Sequence, residues 1–319
     1  MIRTLLPEEK ITEPGFYRIP LSRHHNQPCD GVSVTSGILR EMETKTPADV
    51  WAFHVLNPDR YEKKETDALR LGVAMALFVE GGPHRVLEGF SIHEDDKPRR
   101  PSAAQKKSYE IGTASDTTIR SVEYWQTVEA EPASWLTQEE FAEICAAGAV
   151  LQADAAASAV LAGMPEVTMA WQDEETGIWV LSRPDTISLD GVVTDYKRMA
   201  AAGRPFNGWL VDRRIEDSAI DMQLALGAEG MQRLMGEWPT AVGIIAQSAD
   251  PPYHVIPRSF DDEWLQIARW RNRRALRRFA ECLSSGRWPG PGEHIGTYHP
   301  RDGLRDRLLA EMNTENTAP

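Results

Sequence analysis

Along the chain, hydrophobic positions first recur with helical spacing and then switch to alternation. The stretch SVTSGILREM (33–42) predicts a short helix behind Ser33 or Thr35 as N-cap, and TPADVWAFHVLN (46–57) predicts a second, opened by a Thr-Pro pair. In ETDALRLGVAMALFVEGG (65–82), Leu69, Val73, Ala76 and Leu77 share one face of a helix that Gly81-Gly82 would end. Residues 91–118 are polar and basic and read as a mobile surface loop. LTQEEFAEICAAGAVLQADAAASAVLAGM (136–164) begins with a capping box, Thr137 and Glu140, and continues as a long Ala-rich helical region. From there the period is two. PEVTMAWQ, GIWVLSRPDTI and GVVTDYK are rich in Val, Ile, Thr and Trp and are separated by DEETG and LDG turns, which predicts a mostly antiparallel strand run. A helix over 215–236, strands at TAVGIIAQS and YHVIPRSF, and a helix from about Asp261 to Leu283 complete the pattern. The layout predicts an α/β domain over 31–290, an irregular lead-in over 1–30, and a peripheral tail over 291–319 behind the Pro/Gly-rich GRWPGPGEHIG.

Composition narrows the class. Hydrophobic content of 41% and charged content of 26% are those of a soluble globular chain. No apolar run approaches the roughly 18 residues of a membrane span, and MIRTLLPEEKITEPG lacks the shape of a signal peptide, so a cytoplasmic protein without a membrane partner is expected. Cys29, Cys145 and Cys282 are scattered and read as reduced thiols rather than metal ligands. A net charge of -13 argues against a simple nucleic-acid coat protein but leaves room for an enzyme with a local basic channel. Two basic islands stand out, KPRRPSAAQKK (97–107) and RWRNRRALRR (269–278). Arg269, Arg273, Arg274, Arg277 and Arg278 of the second could track a phosphate backbone, or could pair with local acids on a solvated helix.

The chemistry concentrates in RPDTISLDGVVTDYK (183–197). Asp195 and Lys197, two apart on a strand, share a face. Asp185 joins them only if the turn has the right length. A two-residue Asp190-Gly191 turn would send it to the opposite side, whereas a three-residue Leu189-Asp190-Gly191 loop, with Gly191 left-handed, pairs 185 with 195. The three-residue loop is expected here. It sets two carboxylates roughly 4.5–5.5 Å apart at Cβ, an arrangement that invites a cation between them. Mg²⁺ suits hard oxygen ligands and keeps waters for chemistry, with Mn²⁺ a possible substitute, and Lys197 could steady an attacking water or the charge growing on a phosphate. A plain hairpin with a cross-strand Asp–Lys ion pair fits the same spacing.

Pro184-Asp185 followed by Asp195-Tyr196-Lys197 resembles the PD-(D/E)xK nuclease signature. The order of SVTSGILREMETKTPADVWAFH, LRLGVAMALFVEG, LTQEEF…AGMPEVTMAW, DEETGIWVLSRPD, DYK and DMQLALG is similar to that of the RecE-type exonuclease family, exodeoxyribonuclease VIII with its lambda-exonuclease-like fold, over roughly residues 20 to 285. The resemblance implies a central twisted mixed sheet flanked by helices. It implies Asp185 and Asp195 as metal ligands, Glu166 as an additional acidic ligand, Lys197 as the catalytic lysine and Gln223 beside the site. Two positions depart from the family pattern: Ala76 stands where a histidine ligand is usual, and Gly227 where a tyrosine follows the glutamine. His54 and His84 are the nearest substitutes in sequence and read as surface residues.

The expected activity is Mg²⁺-dependent hydrolysis of DNA phosphodiester bonds from duplex ends. Family resemblance adds a ring-like homo-oligomer, a single-strand annealing partner of the RecT kind and a setting in phage-type recombination. The competing expectation is a DNA-binding recombination protein that keeps the fold while its site has weakened.

Overall fold

The computed structural model describes residues 2–62, 66–93, 98–130, 134–188, 190–292, 296–299 and 302–315. Among the described residues its β-structure is two five-stranded mixed sheets and a parallel pair, Phe90–His93 with Ser134–Thr137, rather than one central sheet. The first runs Ile2–Thr4, Gly15–Arg18, Thr168–Gln172, Trp179–Ser182, Ser33–Thr35. The second runs Val255–Ser259, Ala241–Ser248, Val192–Met199, Thr186–Ile187, Met164–Pro165. Two chain segments cross from one sheet to the other, and both lose regular pairing at the same level. Glu166, left-handed at φ 55°, lies between Met164–Pro165 and Thr168–Gln172. Pro184, which has no N–H to give a ladder, lies between Trp179–Ser182 and Thr186–Ile187.

The predicted antiparallel run holds for Thr168–Gln172 with Trp179–Ser182 and for Thr186–Ile187 with Val192–Met199. Val192–Met199 is paired in parallel with Ala241–Ser248, through a crossover that carries the helices Gly208–Asp217 and Ile220–Met235. Where one helix was expected over 215–236 there are thus two, broken at Ala219, whose φ is 49°.

Helices cover both faces of the second sheet, and alternation along Val192–Met199 divides the core accordingly. Val193 and Met199 pack with Ile244 among residues from Ser36–Thr44, Ile220–Met235 and Asp262–Ser285. Tyr196 and Ile245 pack with residues from Asp67–Gly89 and Gln138–Ala153. Those last two helices contact each other, and Ala155–Leu161 turns 97° away from Gln138–Ala153 behind the cap Asp154.

Several local expectations are corrected. The first 30 residues are not featureless, because Gly15–Arg18 pairs with Thr168–Gln172 and Tyr17 is buried. The stretch 91–118 is not one loop. It contains the strand Phe90–His93 (which begins one residue before it), the helix Ala103–Glu110 with a Ser102/Gln105 capping box, and the start of the helix Asp116–Ala130; Glu94, Asp95, Asp96 and Lys97 lie outside the described residues. Gly81-Gly82 does break the helix as expected, with non-helical backbone at both glycines, but a further helical turn follows, so that Asp67–Gly89 is two helical pieces joined by a kink. Its core face carries Arg70, Ala74, Met75 and Phe78, while Leu69 is exposed. His54 is buried and stacks near Trp51 and Phe279.

Arg70 explains the rotated face. Its guanidinium is 3% exposed, donates to both carboxylate oxygens of Glu140 at 2.9 and 2.8 Å and to the Trp135 carbonyl at 2.7 Å, and lies 4.3 Å from the Trp135 ring centroid. Glu140 simultaneously accepts from the Thr137 N–H of its own capping box. Arg70→Ala should therefore cost about 3 kcal/mol, since it leaves Glu140 half-buried without its counter-charge. Chemical denaturation is the measurement, and the double variant Arg70→Met/Glu140→Gln should recover part of the loss.

Candidate active site

The site is set by the hairpin over 183–197. Ser188 N–H donates to the Val192 carbonyl at 2.9 Å, Val192 N–H returns to the Ser188 hydroxyl at 3.0 Å, and Gly191 N–H closes on the Ser188 carbonyl at 3.1 Å. Gly191 sits at φ 75°, a conformation that glycine tolerates best. Of the expected three-residue loop, Leu189 lies outside the described residues. The register is nevertheless fixed by its flanks: Ile187 opposes Val193 and Thr186 opposes Thr194, so the next rung places 185 opposite 195.

At that rung the two carboxylates replace backbone partners. Asp185 N–H donates to Asp195 Oδ1 at 3.0 Å, and Asp185 Oδ2 accepts from Tyr196 N–H at 2.7 Å. Lys197 Nζ donates to Asp195 Oδ2 at 3.3 Å, with Asp195 only 1% exposed. Burial pushes the Asp185 carboxyl up to about 7, helped by the charges of Asp195 and Glu166 and opposed by Lys197 and the Tyr196 N–H. Burial works against the Lys197 ammonium, but Asp195 and Asp185 outweigh it and raise its pKa.

A cavity of about 280 Å³ opens beside this clasp. Ala76, Glu80, Glu166, Asp185, Thr186 and Tyr196 contribute to its wall, whereas Asp195 and Lys197 do not line it. Ala76 thus presents a methyl group to the space that Asp185 faces. Glu166 reaches the wall but is held by Arg183, whose Nε donates to Glu166 Oε2 at 2.6 Å while its Nη1 donates to the Ile19 carbonyl at 2.6 Å. Glu166 N–H is in turn bonded to the Asp185 carbonyl at 3.1 Å.

Gln223 is half-buried on Ile220–Met235, and among the described residues no hydrogen bond ties it to the carboxylates. One turn later, a Cβ on Gly227 would come within 3.0 Å of Val193 Cγ1. Helix and strand approach too closely there for a tyrosine. His84 is exposed and pairs with Glu88. Arg183 and Arg40 also reach this region, although strand parity does not point to either. Arg183 directly precedes the Pro-Asp pair, a signal that was available. Arg40, on Ser36–Thr44, interacts electrostatically with Asp195 and Asp221; its Nε is buried without a partner, and burial lowers its pKa.

The arginines of the helix Asp262–Ser285 are engaged by neighbouring elements, although Arg274, Arg277 and Arg278 remain exposed. Arg273 and Arg277 grip Glu175, and Arg273 also grips Asp173, both acids belonging to the DEETG turn. Arg274 pairs with Glu43, Arg278 donates to the Met42 carbonyl, and Arg269 stacks on Trp238 within reach of Glu229. Arg277, followed by Arg273, holds Glu175 down to about 2. Arg273, Arg274, Arg277 and Arg278 brace the DEETG turn and the helix Ser36–Thr44, Arg269 reaches toward Glu229 of Ile220–Met235, and any phosphate contact would have to compete with these pairs.

Among the described residues, no group of three His, Cys, Asp or Glu side chains is placed to hold a metal ion. Glu166 shares the cavity wall with Asp185 but is paired with Arg183. The donors that remain fit a smaller demand. Mg²⁺ is usually held through one or two carboxylates, with waters and substrate phosphates completing its shell. Asp185, beside the cavity and driven up by burial and then by its aspartate neighbour, is where a cation would relieve repulsion.

This electrostatic state has a sign. Asp185 holds its proton more tightly folded than unfolded, so without metal the fold loses stability as pH rises from about 4 to about 7. Asp185→Asn, which keeps an acceptor for Tyr196 N–H, should raise the melting temperature at pH 8 in EDTA and leave it near wild type at low pH. A lower melting temperature at pH 8 would contradict the assignment.

No protein-family model matches the chain, and no curated protein matches it by sequence. A solved structure from Eubacterium rectale, described as a "Putative exonuclease", aligns with a TM-score of 0.55 and 12% identity over 90% of this chain and 97% of that one. At that identity the likeness is one of fold.

Proposed function

We propose that the protein is a nuclease of the PD-(D/E)xK type, most similar to RecE-type exonucleases, which hydrolyses DNA phosphodiester bonds from duplex ends. The observation that carries this reading is the hairpin register. It places Asp185 opposite Asp195, with Lys197 bonded to Asp195 and a cavity beside Asp185. The fold shared with the Eubacterium rectale structure adds weight at the level of nuclease.

In this reading Asp185 and Asp195 would hold Mg²⁺, or Mn²⁺ in its place, and the ion would supply an acidified water and neutralise phosphate charge. Lys197 stabilises negative charge on the phosphoryl oxygens while a new P–O bond to water forms and the strand oxygen leaves with a proton. Asp195 positions Lys197 through the 3.3 Å contact, and Arg183 keeps Glu166 in the wall. Work on duplex ends, a homo-oligomer, a RecT-like annealing partner, a cytoplasmic location and a phage recombination setting belong to the same proposal through family resemblance.

A second reading has its own support. Ala76 and the missing three-ligand cluster favour a protein that binds DNA with a weakened or silent site. Digestion of linear duplex DNA separates the two. The first expects digestion with Mg²⁺ or Mn²⁺, and Lys197→Ala should lower it at least about a hundredfold while leaving DNA binding intact. Ala76→His should increase the thermal stabilisation produced by Mn²⁺. Wild-type protein that binds but never digests, with either ion, would establish the second reading.

A further inference from the structure

Asp195 and Lys197 share one face of the strand Val192–Met199 with Val193 and Met199. Leu39 and Met42 of Ser36–Thr44 are buried in the same core as Val193 and Met199, together with Met222 and Leu224 of Ile220–Met235. These two helices therefore cover the side of the sheet to which Lys197 belongs. The cavity beside Asp185 opens toward another helix, with Ala76, Val79 and Glu80 of Asp67–Gly89 in its wall.

Ser36–Thr44 carries a single cation, Arg40. Its Nη1 donates to the Ser218 carbonyl at 3.3 Å, at the entry to Ile220–Met235. Its Nε is buried without a partner, whereas Nη2 makes no hydrogen bond and is not sealed from solvent. The Lys197 side chain is likewise 24% exposed. The acids around Arg40 are committed to other cations: Asp195 to Lys197, Asp221 to Arg271 and Glu41 to Lys45. Burial lowers the Arg40 pKa against the pull of Asp195, Glu41 and Asp221, and the Arg40 charge in turn works against the charged form of Lys197. Two neighbouring cations that repel each other are relieved by an anion between them. A phosphate oxygen suits the guanidinium, whose planar fork matches phosphate geometry.

We infer that Arg40 is a substrate-binding residue, which holds a phosphate of the nucleic-acid strand beside Lys197. The inference rests on the nuclease reading and deepens it: phosphate is met from the Ser36–Thr44 side of the strand, while the Asp185 carboxylate faces the cavity on the other. Binding of a labelled linear duplex to the full chain is measured in EDTA over a range of salt concentrations, and digestion of the same duplex is followed in Mg²⁺. Arg40→Ala should weaken binding at least about fivefold and lower the slope of log affinity against log salt by about 0.9, the share of one phosphate contact. Arg40→Lys should keep the slope. So should Arg3→Gln, at an exposed arginine on the edge strand of the first sheet. In digestion, Arg40→Ala should raise KM more than it lowers kcat. If a thermal melt shows that Arg40→Ala unsettles the fold, Arg40→Gln, which keeps a donor for the Ser218 carbonyl, reads the same slope.

A wild-type slope in both neutral variants overturns the inference, and a fall in kcat at that unchanged slope would assign Arg40 to the support of Asp195 alone. Inorganic phosphate displacing the duplex at low millimolar concentration would assign Arg40 to a free anion and also overturns it, as does wild-type protein that binds no duplex. Salt-dependent binding that needs Arg40, without digestion in Mg²⁺ or Mn²⁺, would support the phosphate contact while sinking the nuclease reading. Digestion that proceeds with Arg40→Ala binding as wild type does the reverse, so the two failures are distinguishable.

Discussion

The reciprocal clasp between Asp185 and Asp195 is the constraint on which the candidate site depends. Thr186–Ile187 is a strand of two residues, too short to hold register by backbone bonds alone. Where its ladder ends, each aspartate carboxylate accepts an N–H from the opposite strand. Hydrogen bonds to a charged group contribute about 1.5–3 kcal/mol each, and here they offset the repulsion between two carboxylates on adjacent strands. A slip of one residue would exchange the faces of the whole strand, sending Val193 out of the core along with the acids. Packing and chemistry therefore select the same register.

Charge elsewhere does mainly structural work. Arg70 joins two helices through Glu140, Arg183 ties the first crossing segment to the second, and Asp262–Ser285 reaches across to the DEETG turn and to Glu43. Basic sequence is thus a poor guide to a basic surface in this chain. RWRNRRALRR meets Glu43, Asp173, Glu175 and Glu229 on neighbouring elements.

What could be read from sequence follows the range of the interactions involved. Capping boxes at Thr137–Glu140, turn chemistry at Gly191 and alternation through Val193 and Tyr196 act within a few residues, and each appears where the spacing placed it. The Ser102–Gln105 box was equally local but preceded a helix without buried residues, so hydrophobic periodicity was silent there. Gly15–Arg18 becomes a strand only because Thr168–Gln172 is present to pair with it, and the core face of Asp67–Gly89 is set by Arg70, which any hydropathy pattern counts as surface. Parity placed Asp185 opposite Asp195. It could not foresee that Arg183 would hold Glu166, or that the cavity would open on the Ala76 side, away from Lys197.

That last division has a consequence for how a cation would enter. Asp185, Asp195 and Glu166 contribute three potential negative charges, and Lys197, Arg183 and Arg40 three positive ones, so the cluster is close to neutral before any metal arrives. Its imbalance is local rather than total. Arg183 serves Glu166, Lys197 serves Asp195, and Asp185 is left with a backbone N–H, which is why burial and its neighbours lift it to about 7. A divalent ion at this carboxylate would compete with a proton instead of filling a strongly charged nest. Metal binding coupled to proton release strengthens as pH rises through the ligand's pKa. The substitution of a methyl for an imidazole at Ala76 makes the site more dependent on that exchange, because no neutral ligand faces the cavity from that position.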